Sequence, residues 1–471
     1  MPSRRDQVQS YQFFMQRMTS ALVVRDADPP AAPFRRLGGA GVGGFMVAIL
    51  CLGAVGIFGF IVPGGATGWR DGASVILEKE TGTRYLYREG HLHPVTNYSS
   101  ALLALESFAP TVSVSRNSLL GTARGTRIGI PAAPDSLPEA KRMRAGVWTL
   151  CSRTLRDPAG EPTTSTVLTV GQSPAGGRTP GDGALLVRDS ATGTLHLVWH
   201  DRRYEISDES IVLEGLTMRS EPVVPVGGAW LNALPAGETI GSRPVDGRGE
   251  PSAALPDGVV GRVYLVQDRS GSRQYYLAER DRLVPMTELQ VEVLLADPRS
   301  AAAYDGGPAE PVPVDAATVV GAPRAEQPSA GQLSAPRQRP DILSLSGGQA
   351  AVCASYTPGE YQPRLLLDAQ VQADGAAIGT AARTVDGVPL ADQVVIEPGS
   401  GVLVEAMSSP DAPAGTLNLV TDLGIRYPIA DRAVAGMLGY PQVEPVRMPA
   451  GLVVRLPSGP ALDPAAAKQP A

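Results

Sequence analysis

The sequence has 471 residues, among them 43 Pro and 53 Gly but only 4 Trp, 13 Tyr and 7 Phe. So many residues that break regular structure exclude a predominantly coiled-coil protein and a bundle of many membrane spans, while a hydrophobic content of 43% suffices for buried cores. The net charge of −6 is dispersed, which argues against nucleic-acid binding as the main activity. Length alone suggests about three domains.

The first predicted element is a helix over residues 6–24. Ser3 and Asp6 have the spacing of a capping box, and Pro29, Pro30 and Pro33 are expected to end the helix. Apolar residues at spacings of three and four give it one apolar face: Val8, Tyr11, Met15, Met18 and Leu22. Such a helix either lies on a bilayer or docks on another protein. We favour docking because the helix has few Arg and no Lys or Trp.

A membrane span is predicted from Leu37 to Val62, a run of 26 residues without an ionisable side chain other than Cys51. At ~1.5 Å per residue, a helix of this length covers about 39 Å, more than the ~30 Å hydrocarbon core of a bilayer. Residues 1–36 carry six Arg against three Asp, so the positive-inside rule predicts a cytoplasmic N-terminus and export of the remainder. A cleaved signal peptide is the alternative, but the apolar run is too long for one.

Past Thr67, one arrangement recurs four times: a strand, a glycine turn, a second strand and a short helix. The turn glycines are Gly82, Gly193, Gly271 and Gly424. The side chains expected to cap the last three helices are Ser207, Thr287 and Asp431. The glycines are unevenly spaced, which excludes a stacked solenoid because a solenoid needs a fixed period.

The long intervals between copies predict a central β domain assembled from residues 128–183 and 324–415. Cys151 and Cys353 fall one in each stretch, on the exported side where disulfides persist. This favours a disulfide between the two stretches over two free buried thiols. Residues 157–183 and 297–340 lack periodicity and are interpreted as loops or linkers.

The predicted fold class is α+β and β-rich: a single N-terminal transmembrane helix, then an elongated exported region of four small β-hairpin-plus-helix repeat domains around a discontinuous central β domain. Residues 1–36 form the cytosolic helix and linker, and residues 37–62 form the span. The four repeat domains cover residues 68–127, 184–257, 258–323 and 416–461. Residues 462–471 are interpreted as a flexible tail.

No catalytic or cofactor-binding pattern is found in the sequence. A P-loop needs a lysine after a glycine, but none of the three lysines follows one, and no serine has the Gly-x-Ser-x-Gly context of a hydrolase. His91 with His93, and His196 with His200, could each form half of a metal site. The two pairs lie in separate copies and have no reason to converge. We expect no catalytic residue, no cofactor and no bound metal.

The run from residue 124 to 138 carries a resemblance to a known family. Its matching residues are Arg124, Gly125, Gly129, Ile130, Pro131, Pro134, Asp135, Leu137 and Pro138. Together with the N-terminal segment starting at Ser3, the single span, and Trp148 shortly before Cys151, this run resembles EccB over essentially the whole chain. EccB is a membrane component of the ESX (type VII) secretion machinery of actinobacteria. One departure is Ala132, where the family usually has Gly.

The resemblance implies one span, repeat domains around a β-rich centre, and a disulfide there, for which Cys151 and Cys353 are the matching positions. It also implies assembly with EccC, EccD and EccE into a large ring-like complex, expected to be hexameric, and contact with the mycosin protease outside. Nucleotide hydrolysis falls to EccC in this arrangement. The cargo of the complex is a set of small helical WxG-type proteins.

We therefore expect a non-catalytic structural subunit of a secretion complex in the plasma membrane, with a cytoplasmic N-terminus and an extracytoplasmic platform. Asp135 is expected to fix a turn between its flanking prolines. Two alternatives remain open: an anchored extracytoplasmic ATPase or nucleotidase without a P-loop, and an anchored cell-wall-binding protein. Nucleic acid is not an expected partner.

Overall fold

A computed structural model describes residues 3–25, 33–61, 67–156, 158–326, 334–347, 351–371 and 377–471. Pro29, Pro30 and Val62, which enter the predictions above, lie outside these residues. The chain divides into two compact units, Met1–Pro94 with Pro110–Gly125, and Val95–Ala109 with Thr126–Ala471. The architecture is mixed α+β and rich in sheet, which confirms the predicted fold class.

Two helices form the N-terminal part, α1 (Arg4–Val24) and α2 (Pro33–Ile61). Helix α1 begins with the predicted capping box, in which the Ser3 side chain accepts from the backbone N–H of Asp6 and the Asp6 side chain accepts from that of Ser3. Pro33 begins α2 rather than ending α1, because proline at a first helical position loses no hydrogen bond. The first predicted helix and the predicted span are thus two helices.

The repeated copies share one plan, which the first copy shows. Three strands form an antiparallel meander, a helix follows, and a fourth strand returns parallel to the first. Its elements are β1 (Val75–Glu78), β2 (Arg84–Arg88), β3 (His91–Pro94), α3 (Tyr98–Leu105), β4 (Thr111–Val114), α4 (Arg116–Leu119) and β5 (Ala123–Arg124). Helix α3 belongs to the second compact unit, whereas the five strands belong to the first.

The second and third copies follow this plan, separated by a short two-stranded ribbon. After β6 (Trp148–Arg156) and β7 (Pro162–Val170), the second copy has β8 (Leu185–Asp189), β9 (Leu195–Trp199), β10 (Arg202–Glu205), α5 (Glu209–Gly215), β11 (Val223–Val226) and α6 (Gly228–Ala233). The ribbon consists of β12 (Pro251–Ser252) and β13 (Gly258–Val259). The third copy has β14 (Val263–Gln267), β15 (Arg273–Ala278), β16 (Leu283–Met286), α7 (Glu288–Ala296), β17 (Val312–Pro313) and α8 (Ala316–Val320).

The C-terminal part completes the central sheet and adds the fourth copy. The central strands are β18 (Ala351–Tyr356), β19 (Arg364–Ala369), β20 (Ala377–Gly379) and β21 (Gln393–Val395). The fourth copy has β22 (Gly401–Met407), β23 (Thr416–Thr421), β24 (Arg426–Pro428), α9 (Arg432–Met437), β25 (Val446–Pro449) and α10 (Ala450–Val453), and α11 (Pro464–Ala467) follows. Short 3-10 helices cover Gly68–Asp71, Ala140–Arg142 and Pro298–Ala303.

The central sheet has the order β19-β18-β6-β7-β21-β20 and draws strands from both predicted stretches. Side chains alternate between its faces, so Trp148 and Leu150 point into a large apolar core while Cys151 lies on the other face. That core also contains residues of the second copy, such as Val187, and of the fourth copy, such as Val404. One face of the central sheet is therefore shared with two of the four copies.

The structure differs from the sequence interpretation in the fourth copy. Its first strand is β22, which pairs with β23 along six positions, whereas the sequence predicts residues 401–407 to belong to the central domain. Because β22 precedes β23, Gly424 lies in the turn after the second strand, not after the first as predicted. The returning fourth strand of every copy was also not predicted, since two- to four-residue strands with proline carry little periodicity.

Three stretches interpreted as irregular contain regular structure, and one of them, residues 297–340, includes the 3-10 helix Pro298–Ala303, β17 and α8. Residues 162–170, predicted to be loop, form β7, a nine-residue central strand whose Thr and Val residues favour strands. The C-terminal residues 462–471 include α11, bury Leu462 and Ala467, and pair Pro470 with Ile128. A further difference concerns α5, whose N-cap is Asp208 rather than Ser207. Thr287 and Asp431 do cap α7 and α9.

Candidate functional site

The apolar face predicted for α1 is exposed to solvent. The exposed fractions of the five side chains run from 43% to 78%: Val8, Tyr11, Met15, Met18 and Leu22. Helix α2 contains the stretch Gly38–Gly56, which is long and apolar enough to cross a membrane, and none of its side chains is buried. Leu37 lies inside α2, whose first residue is Pro33. These two helices present apolar surface that a soluble protein would cover.

Trp69 anchors the chain just after the apolar helix. It is 1% exposed and lies in the core of the first sheet beside Ile76 and Leu92. Its ring meets that of Tyr87 edge-on at 5.4 Å between centroids, and the Arg70 guanidinium lies 5.1 Å from its centroid. Sequence reasoning missed Trp69, although an isolated tryptophan a few residues after a span could have indicated an anchor.

Arg124, the first residue of the family run, ends a polar chain in the first sheet. Its Nη1 donates to the hydroxyl of Tyr85 at 2.6 Å, and that hydroxyl donates to Oε2 of Glu78 at 3.2 Å. Arg116 Nε donates to Oε1 of Glu78 at 3.0 Å. This hydrogen bond from Arg116 is the largest influence on the pKa of Glu78 and lowers it, although burial of the carboxyl alone would raise it. Arg124 therefore stabilises the sheet rather than offering a free cation.

Gly125 is required because an aromatic ring covers its α-carbon. Its N–H donates to the carbonyl of Leu92 at 3.0 Å, and a Cβ at this position would lie 2.3 Å from Cε1 of His93. The second and fourth copies repeat the contact: a Cβ on Gly237 would lie 2.2 Å from the ring of Tyr204, and one on Gly459 would lie 2.3 Å from that of Tyr427.

The third copy changes both members of this contact together. Ala325 donates its N–H to the carbonyl of Leu283, as Gly125 does to Leu92. The residue after Leu283 is Val284, so the aromatic ring is missing where the glycine is missing. Gly125 and Gly129 also have counterparts at the same spacing in the second copy, Gly237 and Gly241. This Gly-x-x-x-Gly repeat was visible in the sequence and was not recognised.

The next residues of the family run bind the start of α3. Asn97 caps the helix, accepting from the N–H of Ser100 at 2.9 Å, and its amide donates to the carbonyl of Ile130 at 2.8 Å. The N–H of Ile130 donates to Oγ of Ser100 at 2.9 Å. Gly129 has φ +126°, and a Cβ there would lie 2.1 Å from Oγ1 of Thr96. Glycine is needed at this position for both reasons.

The proline-rich end of the run continues this contact. Oδ1 of Asp135 accepts from the N–H of Tyr98, the first residue of α3, at 2.9 Å, where a carboxylate also complements the helix dipole. Ser99 Oγ donates to the carbonyl of Pro134 at 2.5 Å, and the hydroxyl of Tyr440 donates to that of Pro138 at 2.7 Å. Asp135 thus holds a helix start. Pro131 is exposed and Leu137 half-buried.

The run also includes one left-handed backbone position, Ala132, and it forms hydrogen bonds with the C-terminal residues. Ala132 has φ +60°, the left-handed conformation that glycine adopts most readily, so a glycine would adopt this backbone conformation with less strain than alanine does. The N–H of Gly129 donates to the carbonyl of Gln469 at 3.2 Å, and the N–H of Ala471 donates to that of Arg127 at 3.0 Å. Lys468 pairs with Glu106. The last residues of the chain therefore pack against the run.

The predicted disulfide between Cys151 and Cys353 is present. The two cysteines occupy directly paired positions of the antiparallel strands β6 and β18, are 202 residues apart in sequence, and are 2% and 0% exposed. The disulfide therefore joins the two distant stretches of the chain in the middle of the central sheet.

The histidine pairs do not assemble into a metal centre. The rings of His91 and His93 are 6.3 Å apart, whereas His196 is buried and His200 stacks on Trp199 at 3.8 Å. Burial and the nearby guanidinium of Arg203 lower the pKa of His196. Across the part of the chain that the structure describes, no group of three or more His, Cys, Asp or Glu side chains could hold a metal ion.

These features define a class of protein: a β-rich scaffold of four repeated copies and a disulfide-linked central sheet, preceded by one helix that could cross a membrane. The chain belongs to the EccB family of type VII secretion, because the family model described as "Type VII secretion system ESX-1, transport TM domain B" matches residues 1–470. This family assignment confirms the resemblance carried by the run from Arg124 to Pro138.

Named relatives and solved structures agree with the family. The chain is 26% identical to "ESX-3 secretion system ATPase EccB3" of Mycolicibacterium smegmatis, over 98% of this chain and 89% of the relative, and 27% identical to "ESX-1 secretion system ATPase EccB1" of Mycobacterium tuberculosis, over 97% and 92%. Its fold matches a chain of an intact ESX-5 inner membrane complex (TM-score 0.59, 23% identity, 100% and 96% covered) and an EccB3 dimer from an ESX-3 core complex (TM-score 0.58, 22% identity, 84% and 100% covered).

Proposed function

We propose that this chain is a structural core subunit of a type VII secretion membrane complex, anchoring the complex and forming its extracytoplasmic platform for the export of small helical WxG-type proteins. The observation that carries this function is the family match, which runs without interruption through α1, α2, the four copies and the central sheet. The interactions of the run from Arg124 to Pro138 support a mechanical role, since they hold a helix and the C-terminus in place.

The proposed topology places residues 1–36 in the cytoplasm and everything after α2 outside. The support is the excess of arginine before the apolar helix, including Arg35 and Arg36, and the disulfide, which persists in an oxidising compartment. Five residues separate the last helical residue, Ile61, from Thr67, and Trp69 follows inside the first sheet. We propose that Trp69 ties that sheet closely to the membrane surface.

The proposed partners are EccC-, EccD- and EccE-like membrane subunits, further copies of this chain in a ring-like hexameric complex, and a mycosin protease outside. Two structural neighbours, a chain of an intact ESX-5 inner membrane complex and a chain of an EccB3 dimer from an ESX-3 core complex, support membership of a large assembly. The exposed apolar face of α1 is the proposed surface through which the chain contacts the rest of the assembly on the cytoplasmic side. Within the platform, the repeat domains and the central domain correspond to the four copies and the six-stranded sheet.

The word ATPase in the names of relatives raises a second function, nucleotide hydrolysis by this chain itself. We do not favour it, because no lysine of the chain follows a glycine as a P-loop requires. Lys141 is an exposed partner of Glu139 at 2.7 Å, and Lys468 pairs with Glu106. ATP turnover by the purified chain that persists after Lys79, Lys141 and Lys468 are each replaced by Met would favour this alternative through another site.

The composition of the complex in mild detergent tests the proposed function. The tagged full chain is expected to purify in a stoichiometric assembly with other membrane proteins, and deletion of residues 1–28 should leave the exported part folded but abolish assembly. A matched control is the double substitution Gln9→Ala and Gln16→Ala on the other side of α1, which should assemble normally. A lone monomer from the full chain, or wild-type secretion by the deletion variant, would contradict the proposal.

The topology has its own test. Alkaline phosphatase, active only outside the cytoplasm, is fused after residue 471, and a cytoplasmic reporter is fused before residue 3. Both fusions are expected to be active. Activity of a cytoplasmic reporter at the C-terminus would overturn the orientation, the disulfide argument and the platform together.

A further inference from the structure

Helix α1 carries an uninterrupted heptad pattern. Val8, Tyr11, Met15, Met18 and Leu22 follow at spacings of three, four, three and four, which is the pattern of core positions in a coiled coil. We propose that α1 pairs in parallel with α1 of a second copy of this chain through these five residues, called the seam below. The proposal rests on the proposed function, because it requires two copies held in one complex.

Burial within the structure shows which side of α1 is available. The seam is exposed, whereas Ser20 is only 3% exposed and α1 contacts α2. With about 100° between successive residues of a helix, Ser20 lies roughly opposite the centre of the seam. The side that carries the seam is therefore not the side that is buried at Ser20, although Phe13, which also lies opposite the seam, is 63% exposed.

The residues that flank the seam allow a helix to pair with an identical helix. In a parallel coiled coil the flanking positions of one chain face those of the other, and charges there decide which partners are accepted. In α1 these positions are neutral: Gln7, Gln12, Phe14, Thr19 and Ala21. Two identical helices therefore meet no like-charge repulsion along the seam. Arg4 and Arg25 occupy the next seam positions at either end and limit its length.

The same residues argue against the bilayer as the occupant. A helix that lies on an anionic membrane carries several basic residues on its polar side. Between Gln7 and Val24 the only charged residue is Arg17, and the polar side is mainly glutamine. The parallel direction of pairing follows from α2, the helix that could cross the membrane and that comes directly after α1 in each copy. Two copies with the same membrane orientation have α1 on the same side of the membrane, with both helices running in the same direction.

The seam is too short to hold two free chains together. It spans two heptads, whereas a coiled coil is usually indicated by a pattern sustained over about three to four heptads. Two copies anchored in one complex experience an effective concentration in the millimolar range, which converts pairing into an intramolecular step. We therefore expect α1 pairing to report that two copies have been brought together, and not to drive dimerisation of the isolated helix.

Position-specific cross-linking of the full chain in isolated membranes tests the pairing. In a Cys51→Ser background, single variants Met15→Cys and Met18→Cys place a thiol in the seam, while Gln9→Cys and Gln16→Cys place one on the opposite side as matched controls. After mild oxidation, the seam variants should give at least about fivefold more disulfide-linked dimer of this chain than the controls, because core positions of a parallel pair face their equivalents.

Three outcomes would overturn the pairing: equal cross-linking at all four positions, no cross-linking in the seam, or cross-linking in the seam to a protein of different mass. The assembly is isolated from the same membranes before oxidation. If it contains the full set of subunits and the seam does not cross-link, the pairing is wrong while the structural role stands. If no assembly is recovered at all, the proposed function itself fails.

Discussion

All four copies have the same strand order, but the corresponding sheet face is covered in two ways. The second and fourth copies show one way, and the first and third copies show the other. In every copy a residue of the short helix after the fourth strand lies on this face, such as Leu119 in the first and Val319 in the third. The second and fourth copies add the central sheet, so that their faces share one core with it. The first adds Trp69, and the third adds Ala254 and Leu255.

This difference shows that one sheet face of the same sequence plan can be covered either by a neighbouring sheet or by side chains of a preceding segment. A β-sheet with two apolar faces needs cover on both. Where a preceding segment supplies an inserted side chain, as Trp69 does, this face of the copy has its own core. Where none does, the copy depends on the central sheet, and its stability should be inseparable from that of its neighbours.

Removing one tryptophan from each kind of core is the strongest way to break the comparison. Trp230 in the shared core and Trp69 in the first copy are 0% and 1% exposed, so replacing either with Ala should cost about 3–5 kcal/mol. Trp230→Ala is expected to raise hydrogen exchange in the second copy, the fourth copy and the central sheet together. Trp69→Ala should raise it only in β1 to β4, measured by mass spectrometry on the detergent-solubilised chain.

The matched controls are Trp230→Phe and Trp69→Phe, because neither indole N–H has a partner within the described structure. Both should cost less than their Ala counterparts, since most of the buried ring is kept. If Trp69→Ala and Trp230→Ala gave the same exchange pattern, the distinction between self-contained and shared cores would not hold.

The disulfide sharpens the comparison because it lies on the face of the central sheet away from the shared core. In the chain-entropy model, a cross-link typically contributes 2–4 kcal/mol by constraining the unfolded state. Cys151→Ala is therefore expected to lower the free energy of unfolding by about that amount without changing which regions exchange together. Denaturant unfolding with and without reductant measures this, and Cys51→Ser serves as control. An equal loss of unfolding free energy in Cys151→Ala and in Cys51→Ser would contradict a stabilising role of the disulfide.

The contact between glycine and aromatic ring offers a smaller test of how similar the copies are. Gly237→Ala places a Cβ 2.2 Å from the ring of Tyr204 and should cost about 1–3 kcal/mol through overpacking. Combining it with Tyr204→Val reproduces the Val284 and Ala325 pair of the third copy. The double variant should therefore be more stable than the sum of the single effects predicts, by about 0.5–3 kcal/mol.

Gly321→Ala is the control for this cycle, because no atom lies within 4 Å of a Cβ at that position. It should be close to neutral. Strict additivity of the effects of Gly237→Ala and Tyr204→Val on the free energy of unfolding, measured with denaturant, would show that the two residues are not energetically coupled. The Val284 and Ala325 pair of the third copy would then not explain the contact in the second copy.

How much of this could be predicted from sequence depended on the length of each signal. The capping box at Ser3, the apolar helix and the pairing of Cys151 with Cys353 rest on local pattern, composition or residue type, and they were predicted. The returning strands were missed because each has at most four residues, although Glu-Pro-Val precedes or begins three of them, at Glu221, Glu310 and Glu444. The cover of each sheet face is a long-range packing choice that no local periodicity encodes.

The loops around the third copy are joined by a charged cluster centred on the carboxylate of Asp297, which accepts hydrogen bonds from Arg299 and Ser242. Asp297 is buried; burial alone would raise its pKa, but hydrogen bonds from Arg299 and Ser242 and the nearby Arg248 outweigh burial and lower the pKa well below its ordinary value. A carboxyl whose pKa is lower in the folded state stabilises the fold above the unfolded pKa of about 3.9, and this stabilisation is lost as the pH falls through the folded value.

Wild-type stability should therefore fall more steeply below about pH 4 than that of Asp297→Asn, which cannot ionise at this position. Asp305→Asn is the matched control, because the Asp305 side chain is 95% exposed beside Arg262, and surface pairs contribute little. Denaturant unfolding from about pH 6 down to pH 2.5 measures the slope. Hydrogen exchange should locate the loss in the third copy. If Asp297→Asn keeps the wild-type slope, the charged network does not close this copy, and apolar contacts such as that of Leu255 with Tyr264 must do so.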